Sequence, residues 1–168
     1  LETELNFLKA QINPHFLFNT LNNIYALARK KSDDTPAVVV KLSKLLRFVL
    51  YEAQDKKITL AKEIQFLKDY IELEKIRYDN RLDIKFDWQV DDLETQMAPL
   101  ILIPLIENAF KHGASETTSV AFIHINLNLK NDTLTFNVKN SFEYESKNQT
   151  VDGIGLKNLR RQLELLYP

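Results

Sequence analysis

An α+β fold is predicted, with helices first and a helix-backed sheet after them. Three observations predict it. In the first third of the chain, apolar residues recur every three or four positions, the period of a helix buried on one side. From Leu82 onward apolar and polar residues alternate, the pattern of half-buried strands. Helical periods return between and after the alternating runs, which lays helices on one face of a mixed or antiparallel sheet.

Taken in order, Leu1, Leu5, Leu8 and Ile12 form a stripe that continues beyond Pro14 through Phe16, Thr20, Asn23 or Ile24, and Leu27. The stretch from Lys30 to Pro36 is polar and turn-like. A second helix follows, with Val38, Leu42, Leu45 and Val49 on one stripe and Val39, Leu46 and Leu50 beside it. A short connection makes the two helices antiparallel neighbours. Two helices bury little, so a second copy is expected to complete a four-helix bundle; the alternative is packing on the rest of the same chain. A third helix is expected from Leu60 to Tyr78, marked by Ile64, Leu67, Ile71 and Ile76, with a turn at Asp79, Asn80 and Arg81. Leu82, Ile84, Phe86, Trp88 and Val90 then face one way along a strand, and Ile123, Ile125, Leu127 and Leu129 repeat the pattern between Phe122 and Leu129. Leu134, Phe136 and Val138 make another strand, entered by a hairpin turn at Asn131 and Asp132. Helices over Pro99–His112 and Leu156–Tyr167 flank these strands.

Composition narrows the function classes. The chain has 168 residues, enough for one ordinary domain or two small ones. It is 45% hydrophobic and 27% charged, which argues against a disordered chain. A net charge of −1 provides no basic field for nucleic acid or for an acidic membrane face. The absence of cysteine excludes disulfides and thiolate metal sites. No run approaches the roughly 18 apolar residues of a membrane helix. The chain starts at Leu1 rather than methionine, and a segment of a longer protein is expected.

Three motifs carry candidate chemistry. Pro14 has two readings. Inside a continuous helix it removes a donor and pushes against the Ala10 carbonyl at a cost of about 3 kcal/mol, which would leave His15 at an accessible kink. Alternatively Asn13 is the N-cap and Pro14 the first residue of a new helix. Imidazoles with an ordinary pKa near ~6.5 are largely neutral at cytosolic pH and therefore nucleophilic, so His15 is a candidate acceptor of a transferred group. A lone histidine in an amphipathic helix is more often a packed or solvated side chain. Asn19, four residues on, shares its face; it either orients the imidazole or is a polar position at a dimer seam. Phe16 and Phe18 are expected to pack.

The second motif runs from Pro104 to Gly113. Asn108, Lys111 and His112 share a helix face; asparagine offers an oxygen suited to Mg²⁺ and lysine neutralises phosphate. Lys111, His112 and a C′ Gly113 also make an ordinary helix end. That does not explain Glu107 and Asn108 inside an apolar helix, where polar groups need partners. The third motif is Asp152 to Asn158, where Gly153 and Gly155 precede a helix whose N-terminus favours an anion. Its alternative is a tight turn into an amphipathic helix. Asn158 in place of Gly or Ala excludes a Rossmann fingerprint, and no Walker A lysine motif is present.

Gln11, Asn13, Pro14, His15, Phe16, Leu17, Phe18, Asn19, Leu21 and Asn22 match the pattern Q-x-N-P-H-F-L-F-N-x-L-N. The string resembles the phosphoacceptor box of the LytS-type sensor histidine kinases. Leu60–Tyr78 resembles their connecting segment, Pro104–Gly113 their N-box, and Asp152–Pro168 their G-box, so the resemblance covers nearly the whole chain. It implies that His15 is phosphorylated by Mg-ATP and passes the phosphoryl group to an aspartate on a response regulator. It implies a homodimer, with residues 1–58 as dimerisation and phosphotransfer hairpin. Residues 59–168 would be a connecting helix and a GHKL-type ATP-binding α/β sandwich. Asn108 would be the Mg²⁺ ligand, Lys111 and His112 would lie near the phosphates, and Glu107 would be a base or water-orienting group. Gly153, Gly155, Leu156 and Asn158 would line the nucleotide. The family's Asp-x-Gly-x-Gly is replaced here by Lys139, Asn140, Ser141 and Phe142, which puts Asn140 at the adenine and nucleotide choice in question. Gln162 stands where relatives often have arginine, and 142–151 would be a mobile lid. The chain stops at Pro168, where the family fold continues with closing strands. Location would be the cytoplasmic portion of an inner-membrane sensor. A non-catalytic dimeric pseudokinase module and a GHKL ATPase are the rival readings.

Overall fold

The structure is a computed structural model that describes residues 13–78, 81–113, 121–141 and 154–167. It divides into two compact units: Leu1–Asp79 with Glu94–Pro99, and Asn80–Leu93 with Leu100–Pro168. The expected stripe at Leu1, Leu5, Leu8 and Ile12, the 142–151 segment and Gly153 lie outside the described residues.

The first unit begins with α1 (Pro14–Arg29). Asn13 has extended backbone geometry and caps α1, and Pro14 takes the first turn, where its missing N–H costs nothing. Of the two readings of Pro14, the structure shows the helix start and not a mid-helix kink among the described residues. α1 ends in a Schellman motif: Ser32 N–H donates to Leu27 O and Lys31 N–H to Ala28 O, both at 3.0 Å. Lys31 occupies the left-handed region there, at φ 52°, where glycine is usual. α2 (Thr35–Tyr51) follows, with Pro36 again in its first turn.

A 3₁₀ turn at Glu52–Gln54 leads to the short strand β1 (Ile58–Thr59) and to α3 (Leu60–Tyr78), whose limits are those the sequence predicts. Val38, Leu42, Leu45 and Val49 are buried as expected, joined by Leu60, Ile64, Leu67 and Ile71 from α3. α3 packs on both α1 and α2. Phe48 and Phe66 meet at 5.0 Å, and Phe16 and Tyr70 at 4.4 Å. Part of the hairpin's apolar surface is therefore covered by the same chain, the alternative to a bundle of four. Phe18 was expected to pack but is 66% exposed, because α1 turns only its Phe16 and Thr20 side to α3. β1 pairs antiparallel with β3 (Gln96–Met97), a two-residue ladder too short to leave a periodic signal.

The second unit is a mixed three-stranded sheet with order β2-β4-β5: β2 (Leu82–Val90), β4 (Ala121–Lys130) and β5 (Thr133–Asn140). β2 and β4 run parallel; β4 and β5 are antiparallel. Asn131 and Asp132 turn the hairpin with φ 49° and 59°, the left-handed pair of a two-residue type I′ loop. Ile123, Ile125, Leu127 and Leu129 form the buried face of the central strand. The expected inward row on β2 is buried at Leu82 and Ile84 but fades along the strand, leaving Trp88 40% exposed. On the polar face, His124 Nε2 and Asp83 Oδ2 lie 2.9 Å apart, and that hydrogen bond holds the Asp83 carboxyl below its usual range.

α4 (Ile103–Gly113) and α5 (Ile154–Leu166) complete this unit, α4 packing on β4, β5 and α5. The predicted helix Pro99–His112 is corrected at its start. Leu100 has φ 57°, outside helical geometry, and the helix begins at Ile103 with Pro104 in its first turn. No helix among the described residues is long and apolar enough to cross a membrane.

Candidate functional site

The first turn of α1 has two sides of opposite character. His15 is the second helical residue and is exposed. Its own backbone N–H donates to Asn13 Oδ1 at 3.0 Å, so the cap and the imidazole share one residue. Asn19 Nδ2 lies 3.1 Å from His15 Nδ1 and 3.3 Å from Nε2. The Asn19 amide thus lies against the imidazole one helical turn on, and the donor and acceptor roles of the ring nitrogens follow its tautomer. On the opposite side Phe16 is 3% exposed and stacks on Tyr70. Thr20, also buried, donates its hydroxyl to Phe16 O at 2.9 Å.

The second set of residues belongs to the other unit. α4 buries Ile103, Ile106, Ala109 and Phe110. Glu107 and Asn108 are half-buried beside that face, and Lys111 and His112 are exposed at its end. The predicted cluster of Asn108, Lys111 and His112 is therefore presented away from the core, as its spacing implies.

Gly113 is corrected: it closes α4 in helical geometry and is not a left-handed C′ residue. What requires glycine is Asn140. A Cβ on Gly113 would lie 2.6 Å from Asn140 Cβ, closer than real contacts allow. Ser141 locks the same junction: its hydroxyl donates to Gly113 O at 2.8 Å and accepts from Phe122 N–H at 3.0 Å. Asn140 donates its amide to Ser141 O at 2.8 Å. The end of α4 thus meets the end of β5, which brings Lys111 and His112 into the neighbourhood of Asn140. α5 packs on α4, with Gly155 in its first turn, Leu156 half-buried and Asn158 exposed.

Several residues of weight escaped the sequence reading. Ser141 reads as loop punctuation until its partners are known. Tyr70 looks like one more apolar position. Glu63 and Glu74 are buried at 0% and 4% exposure, on the stripe they share with Leu67 and Tyr70. Two carboxylates at core positions of an otherwise apolar stripe were the available signal. Burial pushes the Glu74 carboxyl up, and the Arg77 guanidinium, 3.5 Å away, offsets this in part.

Comparison with known proteins adds to this geometry. A family model described as histidine kinase matches residues 3–82. Sensor protein LytS of Staphylococcus epidermidis is 34% identical over 142 residues, covering 83% of this chain and 24% of that protein. Sensor histidine kinase BtsS of Escherichia coli is 30% identical over 162 residues, 96% of this chain and 29% of the relative. Sensor histidine kinase YpdA of Escherichia coli is 30% identical over 176 residues, 99% and 31% respectively. The chain therefore spans about a quarter to a third of the length of these relatives.

Proposed function

The chain belongs to the LytS-type sensor histidine kinases of two-component systems, and on that premise we propose that it is a kinase core in which His15 accepts the γ-phosphoryl group of ATP and passes it to an aspartate of a response-regulator protein. The observation that carries the reading is the exposed, oriented imidazole: His15 sits on a capped first turn, held by Asn19 on its outer side, while the inner side of that turn is packed.

The residues of the second unit fit Mg-ATP by the chemistry of their donors. Asn108 offers a hard side-chain oxygen, and Lys111 and His112 place cationic or polar groups one turn further on. Bound there, Mg²⁺ would neutralise phosphate charge. Asn108 would hold it, Lys111 and His112 would face the phosphates, and Gly153, Gly155, Leu156 and Asn158 would line the nucleotide. Asn140 would meet the adenine. In the transfer, a lone-pair nitrogen of His15 forms a bond to the γ-phosphorus as the bond to the β-phosphate oxygen breaks, and ADP leaves. The imidazole proton passes to a base, for which Glu107 is the candidate. Asn19 aims the ring, a contribution of positioning.

In the same reading residues 1–58 form the phosphoacceptor hairpin, paired with a second copy in a four-helix bundle. Residues 59–168 carry the connecting helix and a GHKL-type ATP-binding sandwich, on the cytoplasmic side of a membrane sensor. One observation favours a second reading, a non-catalytic dimeric module: Asn140 and Ser141 stand in place of the family's Asp-x-Gly-x-Gly, and both are engaged in local hydrogen bonds. A GHKL ATPase that does not phosphorylate itself has no use for the Pro14–His15–Phe16 box. Incubation with γ-labelled Mg-ATP decides among the three. Acid-labile label on the parent and none on His15→Gln supports the kinase. Nucleotide binding with no label on either supports the module, and phosphate release with no label supports the ATPase.

A further inference from the structure

The first residues of a helix lack intrahelical partners for their N–H groups, and the first turn frays unless something outside the helix holds it. His15 is in that turn. We propose that Tyr70 on α3 is a positioning residue for His15, acting through the aromatic stack it makes with Phe16; this rests on the reading of His15 as phosphoacceptor.

Phe16 is the residue next to His15, so whatever fixes the roll of one about the helix axis fixes the other. The Phe16 and Tyr70 rings lie 4.4 Å apart between centroids with planes inclined by 24°. They are 3% and 4% exposed. A stacked pair of flat rings resists both sliding and roll in a way that a shapeless aliphatic contact does not. The Thr20 hydroxyl adds a bond to the carbonyl of the same Phe16, at 2.9 Å. A side chain reaches about 5–6 Å from the helix axis, so a roll of about 10° displaces an imidazole by about 1 Å. Misplacement on that scale costs a positioned reaction up to about a hundredfold in rate. Tyr70 is itself seated firmly, on the buried α3 stripe with Glu63, Leu67 and Glu74.

The test uses the whole chain and three variants, Tyr70→Met, Tyr70→Phe and Phe16→Leu. Methionine fills a core and favours a helix but provides no ring; phenylalanine keeps the ring. Two quantities are read: the initial rate of acid-labile labelling with the KM for Mg-ATP, and the χ1 averaging of His15 from side-chain NMR couplings. Tyr70→Met is expected to label about tenfold more slowly at unchanged KM, with a His15 rotamer averaged between wells. Tyr70→Phe is expected within about twofold of the parent, with a single rotamer. Parent-like labelling and a single rotamer in Tyr70→Met overturn the proposal. So does an equal loss in Tyr70→Phe, which assigns the effect to the hydroxyl. Should Tyr70→Met lose helicity by circular dichroism, Phe16→Leu is judged by the same two readouts. An unlabelled parent would refute the phosphoacceptor reading instead, and the rotamer measurement then decides by itself whether Tyr70 positions His15.

Discussion

Asn13 is the residue on which the His15 turn depends locally. Its side chain accepts the backbone N–H of His15. Asn13→Ala is therefore expected to cost about 1 kcal/mol of stability, read as a lower denaturation midpoint, with Asn13→Asp close to the parent. An unchanged midpoint for the alanine variant would show that the cap is redundant. Glu74 makes a prediction of opposite character, because its environment disfavours its charge. Its folded-state pKa is raised, first by burial, against the lowering effects of Arg77. A raised carboxyl contributes stability that is complete below the ordinary glutamate value and is lost as pH rises through the raised one. The parent should lose stability across that window on going toward neutrality. Glu74→Gln, neutral throughout, should flatten this part of the stability–pH curve, and curves of identical shape would refute the account. Neither effect was legible in the sequence to the same degree. Asn-Pro is a recognisable helix start, and both readings of Pro14 were available. A glutamate among charged helix residues says nothing about burial until its stripe is known to face two other helices.

At the scale of elements, the junction between α4 and β5 shows how a correct glycine can have the wrong reason. One reading of Gly113 made it an ordinary C′ residue at the helix end, yet the helix runs through it and the constraint is the approach of Asn140. Gly113→Ala gains about 1 kcal/mol of helix propensity but places a Cβ 2.6 Å from that of Asn140, and such overpacking costs about 1–3 kcal/mol. The net expectation is a destabilised second unit and weakened nucleotide binding, measured by denaturation and by titration with Mg-ATP. A more stable variant would show that β5 yields easily. Element identity was otherwise well encoded. α3 runs from Leu60 to Tyr78 as its apolar period predicts, and the type I′ turn sits on Asn131 and Asp132. What the period could not encode was where helix order stops upstream of Pro104, which depends on the left-handed Leu100. Nor could it encode β1 and β3, each two residues long. The candidate site divides in the same way. Literal motifs pointed to His15, Asn108 and their neighbours as candidates, whereas the contacts nearby, Tyr70 on Phe16 and Ser141 on Gly113, join partners distant in sequence.

For the whole molecule, the surface left over by the first unit is the guide to assembly. α3 covers the Phe16 and Thr20 side of α1 and the Val38–Val49 stripe of α2. It leaves Phe18 at 66% exposure, Leu21 at 48% and Tyr25 at 64%, spaced three and four apart and hence on one side of α1. Val39, Val40, Leu50 and Tyr51 are exposed on α2. Scattered apolar side chains on a surface need no explanation, but an aligned stripe with two aromatics does. Burial of a large exposed side chain is worth up to about 1.5–3 kcal/mol, and a second copy that covered this stripe would draw on that gain against the cost of association. Light scattering should then give twice the chain mass for the parent. Phe18→Glu combined with Tyr25→Lys should raise the dissociation constant by about a hundredfold or more while circular dichroism stays unchanged, since neither residue is in the unit's core. A monomeric parent, or a double variant that dimerises as tightly, would remove the bundle. It would leave α3 as the cover of the hairpin among the described residues, and phosphorylation of His15 would then proceed without a stable dimer.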